Sequence, residues 1–429
     1  MDDFLNSRKS KLIDLPCAIT FSGTPLHPIY PTILIPPLNT DIRFSEFLPK
    51  APKVQYFGIL PSNFSWHKIN PGDSHDIILK KSRILPIQNQ LNCGACWAIS
   101  SASVISDVCV VSNITDTRIN VSPTYIMECL NIDKNFKCKG ANPAAMLKYF
   151  IDNNEPIATN TCVDYSWCTD DIRCSNDKNE DILPDEMSKL IPVTCGCTQS
   201  GLYDTVTLDK AELLLLEDED TQSYRTRLMS HILTVGPVLS SILVYKNFED
   251  GCFCVDRNTK GIYIDRYSPS TGNFSDDNLT SSNLTGSHTV SVIGWGIEPN
   301  VKYDTDKTDS VHYWWCKNTW GSNWGDKGYF KLAMYPYNRV VNIEREKPLF
   351  NTKVGATILI SVKDIHPEYL PQYSFNPNLE KIWIIVSVIG GWIILIIITI
   401  VVYKVFLKKN IRIDSNIEMV PLTMRTHQD

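Results

Sequence analysis

An α+β fold followed by a single membrane-spanning helix is the architecture the sequence predicts, on three observations. Helical patterns come first: Cys96–Val111 is apolar, rich in small residues and free of Gly and Pro, which describes a buried helix. Ala144–Ile151, Leu208–Leu216 and Tyr224–Leu233 read as further helices, the last two separated by the acidic run Glu217-Asp-Glu-Asp220. From Pro237 onward the pattern turns to short β-rich runs separated by turn residues: Val238–Tyr245, Gly261–Ile264, Thr289–Trp295, His312–Lys317 and Gly328–Leu332. Helices followed by strands is the α+β order. The third observation is Ile382–Tyr403, whose only ionisable side chain is the tyrosine itself. As a helix it spans about 33 Å, enough for a hydrocarbon core of about 30 Å.

These elements set the domain limits. Residues 1–57 hold proline-broken segments such as Pro28-Ile-Tyr-Pro31 and form a leader or propeptide-like segment. Residues 58–348 form the globular body, 349–381 a juxtamembrane linker, 382–403 the membrane helix and 404–429 a basic tail. Lys381, Lys404, Lys408 and Lys409 bracket the span, with Trp383, Trp392 and Tyr403 as interfacial aromatics. No signal-peptide pattern follows Met1-Asp-Asp, yet the basic residues after the span favour a cytosolic C-terminus and an extracytosolic body. A tail-anchored insertion would leave the body cytosolic instead. The composition (429 residues, 43% hydrophobic, 21% charged) excludes a disordered or collagenous chain, and a net charge of −6 argues against a nucleic-acid partner. Fourteen cysteines exceed the usual complement of a cytosolic enzyme.

The chemistry is concentrated in four strings. Gln88-Asn-Gln90-Leu-Asn-Cys93-Gly-Ala-Cys96-Trp97 puts a thiol where the apolar helix begins, and a helix N-terminus stabilises a thiolate through its free N–H groups and dipole. Gly286-Ser-His288-Thr-Val-Ser-Val-Ile-Gly-Trp-Gly296 offers a histidine ahead of an apolar strand, whereas His312 lacks such a context. Lys317-Asn318-Thr-Trp320-Gly321 offers an amide oxygen that can fix the imidazole tautomer, with Trp320 to shield that bond from water. Gln90, six residues before Cys96, is a candidate oxyanion donor.

In type and order these strings resemble the papain-like cysteine peptidases, and Leu60-Pro61-Ser-Asn-Phe64-Ser-Trp66 resembles the mature N-terminus of that family. Gly236-Pro237, Gly261-Ile262-Tyr263 and Ser291-Val-Ile-Gly-Trp-Gly296 are nearest to cathepsins X and B. The resemblance implies two subdomains, a helical left lobe with Cys96 and a β-barrel-like right lobe with His288 and Asn318. It implies peptide-bond hydrolysis by Cys96, His288, Asn318 and Gln90 on a peptide or protein substrate, without metal or organic cofactor. It places Gly140, Ala141 and Trp320 along the cleft. It also implies a Cys93–Cys138 disulfide and a bridge from Cys129 to Cys162 or Cys168; Cys252 and Cys254 are too close in sequence to pair comfortably. In cathepsin X a leader cysteine masks the catalytic thiol, a role open to Cys17 alongside that of an incidental cysteine.

The sequence departs from the family pattern at Leu91 and Ala141, each in place of a glycine, and at Thr319, in place of serine. No histidine lies between Cys96 and His231, so the inserted pair behind cathepsin B's carboxydipeptidase activity is missing and an endopeptidase is expected over a cathepsin X/B-type exopeptidase. A catalytically silent binding or envelope protein on the same fold and a thiol ligase are the rival readings. Sequons at Asn63, Asn113, Asn120, Asn273, Asn278 and Asn283 would carry glycans if the body is luminal.

Overall fold

The computed structural model describes residues 44–53, 58–129, 137–170 except 139, 201–216, 220–341 and, with short gaps, 343–370. It also describes positions 174, 191 and 197 and the stretch 395–404 except 396. The chain divides into a compact unit ending at Pro371 and a second unit, Gln372–Asp429. Most of the predicted leader, most of the 382–403 span and the tail beyond Lys404 lie outside the described residues.

Among the described residues of the first unit, the helices longer than a single turn are α1 (His75–Arg83), α2 (Cys96–Val111), α3 (Pro123–Cys129), α4 (Pro143–Asp152) and α5 (Thr221–Thr234). Their starts are chemically marked. Ser74 accepts from the Ile77 N–H, Asn142 from Ala144 with Pro143 next to it, and Asp220 from Gln222 and Ser223. Helix α2 has no side-chain cap and every residue of it is buried, which accounts for its apolar, unpatterned sequence.

The strands are β1 (Phe64–Ser65), β2 (Ile157–Ala158), β3 (Gly201–Leu214), β4 (Val238–Tyr245), β5 (Ile262–Tyr263), β6 (Tyr267–Ser268), β7 (Asn273–Phe274), β8 (Leu284–Asp304), β9 (Lys307–Lys317), β10 (Tyr329–Ala333), β11 (Lys347–Leu349), β12 (Thr352–Val354) and β13 (Ala356–Leu370). Nine of them form one sheet in the order β2-β3-β13-β4-β8-β9-β10-β5, with β1 paired to β8. Two large apolar cores flank this sheet. One gathers α2, α4, β3 and β13, and the other gathers α5, β4, β5 and β8–β10.

Three expectations are corrected. Leu208–Leu216, read as a helix, belongs largely to β3. Its helix-forming Ala and Leu residues are overridden by a ladder with β13, in which Leu213 faces Ile358 and Ala211 faces Ile360. Residues 349–381, read as a linker, contribute β13, which also pairs with β4. The lobe expected to be helical therefore contains long strands as well. The end of the supposed leader is also tied in: Phe44 and Leu48 are buried in the α2 core, and the Leu213 backbone bonds to Pro49 and Ala51.

The Gly-Trp-Gly sequence of β8 has a steric cause. A Cβ on Gly294 would lie 2.2 Å from the Phe64 carbonyl oxygen of β1, and one on Gly296 would lie 2.4 Å from the Tyr313 hydroxyl. β1 can pair with β8 only where Gly294 leaves the backbone bare. Beside it, Trp66 donates to the Ile232 carbonyl (2.7 Å), and His67 stacks on Tyr329 and packs edge-on against Trp315, with ring centroids 4.2 and 4.6 Å away.

Both His67 ring nitrogens are buried without a hydrogen-bond partner, and burial with the nearby Lys68 and Lys81 cations lowers its pKa to about 3. A histidine held neutral in the fold protonates first in the unfolded chain, so it costs stability as pH falls below 6.5. His67→Phe is therefore expected to stabilise by about 2 kcal/mol more at pH 5 than at pH 7, read from urea midpoints. An equal effect at both pH values would show an imidazole free to protonate.

In the second unit, residues 395 and 397–404 are helical, and Leu395, Ile397, Ile398, Ile400, Val401, Val402 and Tyr403 are exposed. No helix among the described residues is long and apolar enough to cross a membrane.

Candidate active site

Cys96 is the first residue of α2 and is fully buried. The approach to the helix is anchored by the Cys93–Cys138 disulfide, by the Gly94 N–H donating to the Cys138 carbonyl (2.8 Å), and by the Trp97 indole donating to Lys137 (3.2 Å). These bonds bring Lys137 and Cys138 alongside the start of the thiol's helix. Gly140 has a φ of 102°, and Ala141 packs, half-buried, on the α2 core.

Strand register delivers the second component. β4 pairs with β8 so that Ile242 faces His288 and Ser241 faces Thr289, and β8 pairs with β9 so that Ser291 faces Lys317. The chain leaving β9 thus carries Asn318 past His288, and His288 Nε2 lies 2.7 Å from Asn318 Oδ1. The Thr319 N–H also donates to that oxygen (2.8 Å), which identifies it as the amide's acceptor end. The imidazole must therefore carry its proton on Nε2, leaving Nδ1 as the basic nitrogen. Trp320 lies over the ring at 4.7 Å, and Asn318 and Trp320 are both buried.

Helix and strand meet through Ser100, one turn beyond Cys96, whose hydroxyl donates to the Thr289 carbonyl (2.9 Å). The Cys96 thiol itself engages Thr289, the neighbour of His288, while His288 Nδ1 is buried without a hydrogen-bond partner. Burial dominates the electrostatics: it pushes the thiol up to about 11, against hydrogen bonds from Thr289 and Trp97. It also lowers the imidazole to about 4, against the Asn318 bond. Buried in this way, the thiol and the imidazole are both held neutral.

Gln90 approaches from a tight loop. Its N–H donates to the Thr319 carbonyl (2.8 Å), its side-chain oxygen accepts from the Thr319 hydroxyl, and its Nε2 donates to the Cys93 carbonyl (3.1 Å). The amide is thereby oriented with its NH₂ group toward the start of α2. Leu91, in place of the family glycine, takes the left-handed conformation (φ 54°) that glycine would adopt at less cost.

The cysteines pair only partly as expected. Cys93–Cys138 forms, but Cys162 pairs with Cys197 and Cys168 with Cys174, so neither proposed partner of Cys129 is available to it. Cys252 is disulfide-bonded, while Cys254, Cys109, Cys316 and Cys96 are free. The Cys17 expectation lies outside the described residues. Among the sequons, Asn63, Asn113 and Asn273 are exposed. Asn120 is half-buried, and the partly buried Asn278 and Asn283 donate their side-chain amides to the carbonyls of Arg266 and Asp277. Sequence reasoning missed Tyr165, whose hydroxyl donates to the Gln90 carbonyl (3.2 Å); no motif marks it.

Comparison with known proteins identifies relatives of the chain. Residues 72–348 match the model of the papain family of cysteine proteases. The chain is 36% identical over 339 residues to a protein of Invertebrate iridescent virus 3 named probable cysteine proteinase, covering 73% of this chain and 68% of that one. It is 33% identical over 306 residues to a second such protein, from Invertebrate iridescent virus 6, covering 65% of this chain but only 56% of the relative. A cathepsin B-like cysteine proteinase of Haemonchus contortus is 29% identical over 258 residues, covering 58% of this chain and 63% of the relative. Among solved structures, procathepsin B from Trypanosoma congolense aligns with a TM-score of 0.46 at 19% identity, covering 75% of this chain and 85% of that one. The chain belongs to the papain family of cysteine proteases.

Proposed function

We propose that the chain is an endopeptidase held at a membrane, with Cys96 as nucleophile, His288 as acid and base, Asn318 as the orienter of His288, and Gln90 as oxyanion donor. The observation that carries this reading is the open Nδ1 of an imidazole whose Nε2–H is committed to Asn318, on the residue next to the one the thiol engages. Nδ1 takes the thiol proton, and the thiolate attacks the scissile carbonyl carbon. The resulting oxyanion accepts from the Cys96 N–H and a Gln90 amide hydrogen. Nδ1–H then protonates the leaving amine as the C–N bond breaks, leaving a thioester. Water, deprotonated by the same nitrogen, attacks the thioester and releases the acid and the thiol. A thiol near 11 and an imidazole near 4 do not exchange a proton readily, so the groove must open to water or substrate before the ion pair forms.

Endopeptidase action is supported by the absence of histidine between Cys96 and His231, which leaves no imidazole in that segment to hold a substrate's terminal carboxylate. The test is cleavage of an internally quenched peptide blocked at both ends, together with labelling by an epoxide inhibitor. Turnover with one label per chain at Cys96 is expected. Labelling with cleavage confined to free-ended peptides would make the enzyme an exopeptidase, and no labelling would make it a silent binding protein.

Membrane attachment is supported by the unbroken apolar run 382–403 and by the exposed apolar side chains of its helical end. An extracytosolic body is supported by the Cys93–Cys138, Cys162–Cys197 and Cys168–Cys174 disulfides, since such bonds persist in oxidising compartments. Expressed in cells, the protein is expected to resist alkaline extraction from membranes and to shift on glycosidase treatment, with the exposed Asn63, Asn113 and Asn273 as the accessible acceptors. Resistance without a glycosidase shift would place the body in the cytosol.

A further inference from the structure

The loop that presents Gln90 is strained, and the structure shows what holds it. Leu91 sits at φ 54°, a left-handed conformation that is strained for a residue with a Cβ. Its own N–H is satisfied locally by the Asn89 side chain (3.0 Å). On one side the Gln90 N–H is bonded to Thr319 of the strand-rich half (2.8 Å). On the other side the contacts come from a short segment with no assigned part in the reaction. The Tyr165 hydroxyl donates to the Gln90 carbonyl (3.2 Å), and the Asn92 N–H donates to the Cys174 carbonyl (3.2 Å). Cys168 and Cys174 are joined by a disulfide, and the Cys168 sulfur also lies 3.9 Å from the Gln90 carbonyl oxygen.

Tyr165 is itself held in place. Its ring packs edge-on against Trp167 (5.0 Å), and the Trp167 indole donates to the Thr124 hydroxyl (3.1 Å), which in turn donates to the Asp164 carbonyl (2.6 Å). The phenol therefore reaches Gln90 from a braced position.

We infer that Tyr165 is a positioning residue for the oxyanion donor: its phenolic O–H, beside the Cys168–Cys174 disulfide, holds the Gln90 peptide so that the side-chain amide stays aimed at the site. The inference rests on the reading of Gln90 as that donor. Burial drives the phenol's pKa well up, with the nearby Cys96 charge adding to it, so the group is a neutral donor throughout the working pH range. A hydrogen-bond donor must be held within about 0.5 Å and 10–20° to serve a developing oxyanion, and a positive-φ loop does not supply that rigidity alone. The effect should appear in the transition state rather than in ground-state binding, since the tetrahedral oxygen is the group that needs the aligned N–H.

The experiment is a double-mutant cycle on the full chain with Tyr165→Phe and Gln90→Ala, reading kcat and KM on a quenched peptide and epoxide titration of Cys96. Gln90→Ala is expected to lower kcat by about 10²–10³-fold. Tyr165→Phe is expected to lower kcat about tenfold with KM within about twofold, as for loss of one oriented hydrogen bond. In the Gln90→Ala background the same change should cost less than about twofold, and titration should stay stoichiometric in every variant. An equal loss in both backgrounds would show that Tyr165 acts by another route and would overturn the inference. A silent Tyr165→Phe beside a damaging Gln90→Ala would overturn it while leaving the Gln90 role standing. A silent Gln90→Ala would remove the oxyanion reading and this inference together.

Discussion

Exchange of His288 for alanine is expected to lower kcat/KM on a peptide substrate by roughly a thousandfold, within the 10²–10⁴ range of a positioned acid–base group. His288 is fully buried between β4 and β9, and Asn318 Oδ1 and Trp320 fix its ring. Removing the ring should therefore abolish the exchange of the thiol proton without unfolding the sheet. Asn318→Ala should cost less, because the imidazole stays under Trp320 but loses the bond that selects its tautomer. The diagnostic measurement is kcat/KM against pH for all three proteins beside epoxide titration of Cys96. Loss of turnover with slowed alkylation of Cys96 in His288→Ala is the expected pattern. Wild-type alkylation and turnover in that variant would mean that the thiol ionises without this imidazole.

The catalytic strings are legible because packing geometry constrains each of them. Gly294 must be glycine where β1 pairs with β8, and the Trp320 ring packs on the His288 imidazole. Spacing of that kind survives in a sequence and can be read without a structure. The Cys93–Cys138 bridge, implied by resemblance, holds for a similar reason: Lys137 and Cys138 lie beside the start of α2.

What could not be read depends on distant partners. The end of β3 from Leu208 has the local composition of a helix, and its ladder with β13, more than a hundred residues later, makes it a strand. Cysteine spacing does not determine connectivity, so Cys162 finds Cys197 rather than Cys129. Tyr165 sits in a cysteine-rich stretch with no motif, and its role appears only when Gln90 is seen 75 positions away.

Lys317→Met is expected to be the most destabilising of the changes considered, at about 3–5 kcal/mol, although Lys317 touches no reacting atom. The ammonium is buried between α2 and the end of β9, where it donates to the Leu85 carbonyl (2.7 Å) and the Ser103 hydroxyl (2.7 Å) and pairs with Asp107 at 3.4 Å. Asp107 also accepts from the Leu85 N–H (2.8 Å), so the pair ties the segment before the catalytic loop to both halves of the body. Burial pulls Lys317 down and pushes Asp107 up, and their mutual attraction opposes both shifts. Without the lysine, Asp107 remains as an uncompensated buried carboxylate, which carries most of the expected cost. A carboxyl whose folded pKa lies above its unfolded value stabilises the fold when protonated and loses that contribution as pH rises. The deficit of Lys317→Met should therefore shrink as pH falls from 7 toward the carboxylate range, and urea unfolding at several pH values reads it directly. Lys317→Met combined with Asp107→Leu should recover most of the loss, because no charge is then left in the apolar interior. A single variant within about 1 kcal/mol of wild type at pH 7, or a deficit independent of pH, would mean that Asp107 is already neutral in the native protein and that hydrogen bonding alone carries the link.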